Sequence, residues 1–227
     1  MSSNGTAICR VRRSKGEAKA SYDRMSGWYD LLAASSEKKF VDAGLQKLCA
    51  QPGEIVLEIG FGTGHGILSL ARAVGDAGRA YGIDISQGML DITQARVRKA
   101  GLARRVELKC MDAETLPFTS GFFDAIFMSF TLELFDTPEI PMVLNECYRT
   151  LRSRGRICVV TLSKEEKPGC VTKIYEWIHS RFPKYVDCRP IHAQRALEDA
   201  GFRPSDAEQR SMWGLPVEIV VASKAAP

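Results

Sequence analysis

Glycines that follow a short apolar segment are the residues of this chain best suited to hold a ligand. Residues 56–66 read VLEIGFGTGHG, and helix-compatible residues follow from Ile67 to Val74. Strand, glycine turn and helix in this order open a nucleotide-binding βαβ unit. Glycine lets the backbone turn tightly and approach a ligand closely. The start of the helix offers free N–H groups to an anionic ligand group, so the segment predicts a nucleotide-type binding turn.

The spacing of these glycines separates two classes of ligand. A dinucleotide fingerprint requires a third glycine where this chain has His65 or Ile67, so the spacing excludes a nicotinamide dehydrogenase. The glycines stand instead at every second position over 60–66, and Glu58 precedes the first of them by two residues. The turn therefore predicts a different nucleotide-like ligand.

Two aspartates follow the next predicted strands. Asp84 closes a strand over 79–85 and lies 20 residues after Gly64. A carboxylate at that place can accept hydrogen bonds from both hydroxyls of a ribose, and the alternative is a surface aspartate at a strand end. Asp112 follows a strand over 106–111. Both side chains are therefore expected at the edge of the sheet that carries the glycine turn.

The remaining pattern predicts alternating helices and strands. Thr137 is expected to cap a helix that has Pro138 at its first position. Residues 152–155 are expected to form a turn, and the tight connection over 213–216 favours an antiparallel hairpin. Further helices are predicted over 17–32, 37–49, 169–182 and 191–200, and further strands over 122–129, 156–162, 205–212 and 217–222.

Together, the glycine turn, residues 84–90 and residues 112–118 resemble the signatures of class I S-adenosylmethionine-dependent methyltransferases. The likeness covers about residues 20–222, and it is greatest to the small-molecule group that includes ubiquinone/menaquinone C-methyltransferases and bacterial phosphatidylethanolamine N-methyltransferases. It implies a doubly wound α/β fold whose seven-stranded, mostly parallel sheet has an antiparallel last strand. It also implies S-adenosyl-L-methionine as cofactor and direct methyl transfer without a metal.

The resemblance also assigns site residues. The glycines at 60, 62 and 64 would pass the methionine end of the cofactor, Asp84 would hold the ribose, and Asp112 with Ala113 would hold the adenine. Met89 would form an apolar wall against the adenine, although a Met–Leu pair at helical spacing is also typical of simple core. The expected cofactor contacts are Tyr22, Glu58, Gly60, Gly62, Gly64, Asp84, Ile85, Met89, Asp112, Ala113 and Ser129.

An aromatic helix precedes the glycine turn. Tyr22 and Tyr29 lie seven residues apart, so both fall on one face of a helix. One interpretation is an aromatic face packed on the core. The other is a lid over the cofactor, in which Tyr29 is catalytic and the rings stabilise a sulfonium cation by ~0.5–2 kcal/mol. The expected division is a basic flexible tail over 1–19, lid helices over 20–52 and the cofactor-binding domain over 53–227.

The segment after the fourth strand departs from the quinone enzymes. Those enzymes show Phe-Gly-Leu-Arg-Asn, whereas residues 130–134 here read Phe-Thr-Leu-Glu-Leu. Glu133 could attract a protonated amine or take a proton from a nucleophile, and the alternative is that it points to solvent. We therefore expect a small apolar or amine-bearing acceptor, roofed by the lid and by Tyr175, Trp177 and Tyr185. A silent cofactor-binding scaffold and a quinone-ring C-methyltransferase are the alternatives.

Charge and cysteine usage limit the partners. Residues 1–20 carry five basic residues and one acidic residue, which accounts for the whole net charge of +4. This tail could contact nucleic acid or anionic lipid, or it could be a solvated terminus, whereas the neutral remainder argues against a nucleic-acid enzyme. Seven scattered cysteines without a secretory signal indicate reduced thiols in the cytoplasm. The three histidines form no metal-ligand spacing with them.

Overall fold

A computed structural model gives the structure of residues 34–164 and 189–225. In that part of the chain no helix is long and apolar enough to span a bilayer. The helices are α1 (Ala34–Leu48), α2 (His65–Ala73), α3 (Gln87–Lys99), the short 3₁₀ helix η1 (Leu132–Leu134), α4 (Glu139–Thr150) and α5 (Ala193–Asp199). The strands are β1 (Ile55–Ile59), β2 (Arg79–Asp84), β3 (Val106–Cys110), β4 (Phe123–Ser129), β5 (Leu151–Leu162), β6 (Phe202–Met212) and β7 (Leu215–Lys224).

The strands form one sheet in the order β3-β2-β1-β4-β5-β7-β6. The first five strands in this order, β3, β2, β1, β4 and β5, are parallel to one another. Strand β7 is antiparallel to both of its neighbours, β5 and β6. The predicted mostly parallel sheet with an antiparallel last strand is thus confirmed, as is the antiparallel hairpin at its end. The strand order reverses between β1 and β4, and in such sheets ligands bind outside the carboxyl ends of the strands at that point.

Helices cover both faces of the sheet, because alternate residues of each central strand face opposite layers. Phe127 of β4 and Val160 of β5 belong to the core beneath α1, α2 and α3. Their neighbours Ile126 and Val159 belong to the core beneath α4 and α5. Strand β4 and residues 157–162 of β5 are almost wholly buried, which explains why these sequences are mainly apolar.

Helix α1 lies directly on the sheet. Gly44 allows this approach, because a Cβ there would lie 2.5 Å from Cγ2 of Val160 and 3.0 Å from the ring of Phe127. Phe40 and Leu48 of the same helix are buried in the core. The predicted lid helix that would precede α1, with Tyr22 and Tyr29, lies outside the described residues. The predicted domain boundaries remain predictions.

Two local predictions were wrong. Thr137 does not cap α4, which begins at Glu139 with Pro138 as its N-cap and no side-chain cap bond. Instead, the Glu139 carboxylate accepts a hydrogen bond from the Asp136 N–H at 2.9 Å. Residues 152–155 lie within β5 and not in a turn before it. Leu151 already pairs with β4, the register then shifts, and pairing resumes at Arg156.

Replacing Gly44 with alanine tests the close approach of α1. Alanine is intrinsically a better helix former by about 1 kcal/mol, yet the new Cβ would collide with Val160 and Phe127. Overpacking of this kind costs about 1–3 kcal/mol, so we expect G44A to lower the midpoint of thermal unfolding. Gln46→Ala on the exposed face of the same helix is the control and should leave the midpoint nearly unchanged. An unchanged or raised midpoint in G44A would show that the helix does not require this approach.

Candidate cofactor and acceptor site

The loop between β1 and α2 is built from glycines in the left-handed region. Gly60, Gly62 and Gly64 have φ values of 75°, 49° and 94°, which residues with a Cβ rarely adopt. The Gly60 N–H donates to the Ile83 carbonyl at 2.8 Å, and the Gly64 N–H donates to the Phe61 carbonyl at 2.9 Å. The loop therefore has one defined shape at the carboxyl edge of β1 and β2.

The missing side chains of these glycines serve different purposes. A Cβ on Gly60 would collide with the Thr131 side chain, and one on Gly64 would lie 2.7 Å from Cγ2 of Thr93. A Cβ on Gly62 would have no atom of residues 34–164 or 189–225 within 4 Å. Gly60 and Gly64 thus allow neighbouring segments to pack on the loop, while Gly62 faces open space.

Helix α3 braces the loop from behind. The Thr93 hydroxyl donates to the Gly62 carbonyl at 2.8 Å, and the Arg96 guanidinium donates to the Thr63 carbonyl at 2.9 Å. Sequence reasoning missed both residues. The only signal for them was their spacing of three on one helix, which places them on a common face.

Asp84 stands beside the glycine loop, as the sequence predicted. One carboxylate oxygen accepts a hydrogen bond from the Gly62 N–H at 2.9 Å, and the other accepts one from the Ser86 N–H at 2.9 Å. Ser86 also caps α3 by accepting from the Met89 N–H at 3.2 Å, as predicted. Two backbone donors therefore fix the orientation of the Asp84 carboxylate at the end of β2.

The predicted adenine residues lie on the same side of the sheet. The Met111 N–H donates to the Asp84 carbonyl at 2.8 Å, which ties the end of β3 to the end of β2. Asp112 and Ala113 follow, and the Asp112 carboxylate accepts from the Glu114 N–H at 3.1 Å. The half-buried residue Ile85 follows β2 and the half-buried residue Ser129 ends β4 at this edge, and Met89 is packed into the core at 2% exposure. Their cofactor contacts remain predictions.

Glu58 is buried beneath the start of α2. Its side chain is 1% exposed and lies where Gly66 would otherwise carry a Cβ. Its Oε2 atom makes no hydrogen bond within the described residues. Burial, and secondarily the charge of Asp84, raise the pKa of Glu58 well above its usual range. A buried carboxyl with one unsatisfied oxygen is therefore placed directly below the glycine loop.

Glu133 is also buried, so the alternative that it points to solvent was wrong. It lies in η1 with no exposed surface, and its Oε1 atom accepts a hydrogen bond from the Leu162 N–H at 3.3 Å. Its Oε2 atom has no hydrogen-bond partner in the described part of the chain. Burial raises the pKa of Glu133 to about 8, against opposing hydrogen bonds from Thr161 and Leu162. At neutral pH this side chain is mainly the protonated acid.

Arg189 is a second buried charged residue near Glu133, and sequence reasoning missed it. It is 1% exposed, and it donates to the Phe135 carbonyl at 2.5 Å and to the Thr137 hydroxyl at 3.1 Å. It lies between the helices predicted over 169–182 and 191–200, so no periodic pattern indicated its burial. The predicted roof residues Tyr22, Tyr29, Tyr175, Trp177 and Tyr185 all lie outside the described residues.

Comparison with known proteins defines the class first. Residues 56–155 match the family model described as a methyltransferase domain. Among solved structures, a SAM-dependent methyltransferase from Aquifex aeolicus has a TM-score of 0.63 and 24% identity, covering 90% of this chain and 97% of that one. The [4+2]-cyclase SpnF has a TM-score of 0.77 and 20% identity, covering 98% and 100%. At these identities the structures show the fold alone.

Sequence relatives narrow the resemblance. Demethylmenaquinone methyltransferase from Lactobacillus johnsonii is 31% identical over 166 residues, which cover 73% of this chain and 65% of that protein. The ubiquinone/menaquinone biosynthesis C-methyltransferase UbiE of Sinorhizobium fredii is 32% identical over 167 residues, covering 72% and 62%. Residues 56–155 carry a methyltransferase domain, and over its matched length the chain resembles the class I S-adenosylmethionine-dependent methyltransferases of the UbiE type. It spans slightly less than two thirds of the length of these curated relatives.

The residues at the carboxyl edge fit S-adenosyl-L-methionine. The space above Gly62 lets a ligand approach the loop backbone, and the fixed Asp84 carboxylate is an acceptor suited to ribose hydroxyls. The start of α2 suits the carboxylate of the methionine end. The unsatisfied oxygen of Glu58 suits its ammonium group, since a nearby cation favours the ionised carboxylate.

Replacing Gly62 with alanine tests whether the open space above it receives the cofactor. Gly53→Ala is a matched control, because Gly53 also has a positive φ and also has no atom within 4 Å of its Cβ position. Both variants should lose similar stability through backbone strain. Only G62A should weaken S-adenosylmethionine binding in calorimetry, by about tenfold or more, which corresponds to ~1.4 kcal/mol. Equal affinities of G62A and G53A for S-adenosylmethionine would show that the cofactor does not occupy the space above Gly62.

Replacing Glu133 with glutamine tests its protonation state. The folded wild-type protein keeps the proton on Glu133 up to about pH 8, whereas the unfolded chain loses it near pH 4.5, the ordinary value for a glutamate side chain. The free energy of unfolding should therefore fall as pH rises through this window, by up to ~1.4 kcal/mol per pH unit. E133Q should lack this part of the decline, so its stability relative to wild type should increase from pH 5 to pH 8 in urea titrations.

The exposed Glu198 supplies the control for this measurement. Glu198→Gln changes the formal charge by the same amount as E133Q but should follow the wild-type dependence on pH. Parallel stability curves for wild type and E133Q would show that Glu133 is already ionised in the folded protein.

Proposed function

We propose that this chain transfers a methyl group from S-adenosylmethionine to a small apolar or amine-bearing acceptor, either a lipid or a metabolite. The observation that carries the proposal is the glycine loop with Gly62 open above and its N–H bonded to Asp84. This arrangement combines a free approach to the backbone with a carboxylate already oriented for ribose. In the proposed complex, Asp84 holds the ribose, Asp112 and Ala113 the adenine, and Glu58 with the start of α2 the methionine end.

The protein contributes position and proton transfer to the proposed reaction. The bound cofactor supplies an electrophilic methyl group, so alignment of the acceptor and exclusion of water are the main requirements. An acceptor that starts as O–H or N–H must also lose a proton. Glu133 in its ionised form is the proposed proton acceptor. At pH 7 this is the minor form, but burial makes it a stronger base than an ordinary carboxylate. Its mainly neutral state at pH 7 is less suited to attracting a cation, the other role considered for it.

Quinone-ring C-methylation is a second candidate, favoured by the names of the relatives that are 31–32% identical. The residues after β4 argue for a different acceptor, because Glu133 and Leu134 stand where the quinone enzymes carry arginine and asparagine. Buried Leu132 and Phe130 beside Glu133 make this part of the edge predominantly apolar. An apolar acceptor with one ionisable nucleophile suits such surroundings.

A non-methylating role is the third candidate, and the fold itself permits it. SpnF, which has the same fold, is described as a [4+2]-cyclase, in keeping with the rule that function lies in sites and not in folds. Consumption of the methyl donor with formation of a methylated product distinguishes an enzyme from a silent cofactor-binding scaffold. Mass spectrometry after incubation with lipids, quinones, amines and thiols would identify the acceptor class.

Asp84→Asn is the variant that tests the proposed cofactor site. The amide keeps the shape of the side chain but loses the charge and one acceptor atom, so affinity for S-adenosylmethionine should fall about 10–100-fold. Product formation at a fixed low cofactor concentration should fall in proportion. Asp91→Asn, on the exposed side of α3, should change neither quantity. If D84N unfolds with a normal thermal transition and binds S-adenosylmethionine as tightly as wild type, Asp84 does not bind the ribose.

A further inference from the structure

The chain leaves β5 and returns to it at one place on the carboxyl edge. The Lys164 N–H donates to the Ile191 carbonyl at 2.9 Å, and the Ile191 N–H donates to the Leu162 carbonyl at 3.0 Å. Ser163 and Ile191 also form a parallel bridge. The residues on both sides of the 165–188 stretch are therefore fastened to the end of β5.

Arg189 reaches from this junction to the loop that follows β4. Its guanidinium donates to the Phe135 carbonyl and the Thr137 hydroxyl, at 2.5 and 3.1 Å. Burying a cation is costly unless it is hydrogen-bonded, and a guanidinium presents its donors in a rigid fork. The bonds therefore fix the direction of the loop relative to β5, which a flexible lysine could not do equally well.

These contacts complete a closed ring of bonded residues that includes Glu133. Glu133 accepts from the Leu162 N–H, and Leu162 accepts from the Ile191 N–H. Arg189, two residues before Ile191, donates to Phe135, which is two residues after Glu133. The position of the Glu133 carboxyl relative to β5 thus depends on a bond made by Arg189 at the opposite side of the ring.

We propose that Arg189 is a positioning residue for the acceptor side of the site. It holds the loop over 130–138, and Glu133 with it, against the end of β5. Within the described residues, hydrogen bonds are seen from Arg189 to Phe135 and Thr137 of this loop, and none is seen to Gly62 or Asp84. The inference rests on the proposed function, in which Glu133 acts on the acceptor. Loss of Arg189 should therefore impair acceptor turnover while leaving cofactor affinity intact.

Arg189→Lys tests this inference against a matched arginine. Arg156, which lies in β5, also joins separate segments through its guanidinium. It donates to the carbonyls of Leu48 and Cys49 at 2.6 and 2.8 Å, and it forms an ion pair with Glu54. Both R189K and R156K should lower the thermal midpoint. Only R189K should lower kcat/KM for the acceptor, by about 10–100-fold, the effect expected of a misplacement near 1 Å. The Kd for S-adenosylmethionine should stay within about twofold of wild type in both.

Two further readouts separate positioning from general loosening. Hydrogen exchange without acceptor should speed up at the Leu162 amide and over 130–138 in R189K but not in R156K. The pH dependence of kcat/KM should shift in R189K, because the surroundings of Glu133 change, and it should stay as in wild type in R156K. Faster exchange with wild-type acceptor kinetics would overturn the positioning role.

The outcomes also separate this inference from the proposed function. Unchanged exchange at Leu162 and over 130–138 in R189K would show that Arg189 does not hold the loop, whatever the enzyme does. A wild-type protein that methylates no acceptor would overturn the proposed function and the role of Arg189 in turnover. The exchange comparison would then still support or refute the anchoring of the loop.

Discussion

The absence of a Cβ at two glycines is the constraint on which the carboxyl edge depends. Thr131, after β4, occupies the place of a side chain at Gly60, and Thr93 of α3 occupies that place at Gly64. Larger residues would separate the loop from both neighbours. Because the loop is held from both sides, the Gly62 N–H can meet Asp84 at 2.9 Å. Close packing around Gly60 and Gly64 thus fixes the backbone of the loop. The backbone of Gly62 then remains accessible to a ligand.

Local patterns in the sequence predicted most of the fold. Glycine spacing, Asp84 at a strand end and the 213–216 connection each encode their structure within a few residues. The register shift over 152–155 could not be predicted this way, because it depends on how β5 pairs with β4. The start of α4 likewise depends on which carboxylate meets the Asp136 N–H.

The two halves of the candidate site differed in how far the sequence revealed them. The proposed cofactor half lies in short contiguous motifs, so Glu58, the glycines and Asp84 could be assigned to it from the sequence. The acceptor half is assembled from segments far apart in the chain. Glu133 and Arg189 are polar residues outside periodic elements, and such residues are usually exposed. Their burial follows only from packing between β5, η1 and the segment that returns at residue 189.

In the proposed function, the two buried carboxyls act on the two halves of the candidate site in physically different ways. Glu58 lies near Asp84, whose charge adds to the effect of burial on its pKa, so an arriving cation would favour its ionised form. Glu133 faces backbone donors that oppose burial, so its ionisation depends on how β5 and η1 are held together. A change in the ring of contacts that includes Glu133 and Arg189 could therefore alter the reaction without disturbing the glycine loop.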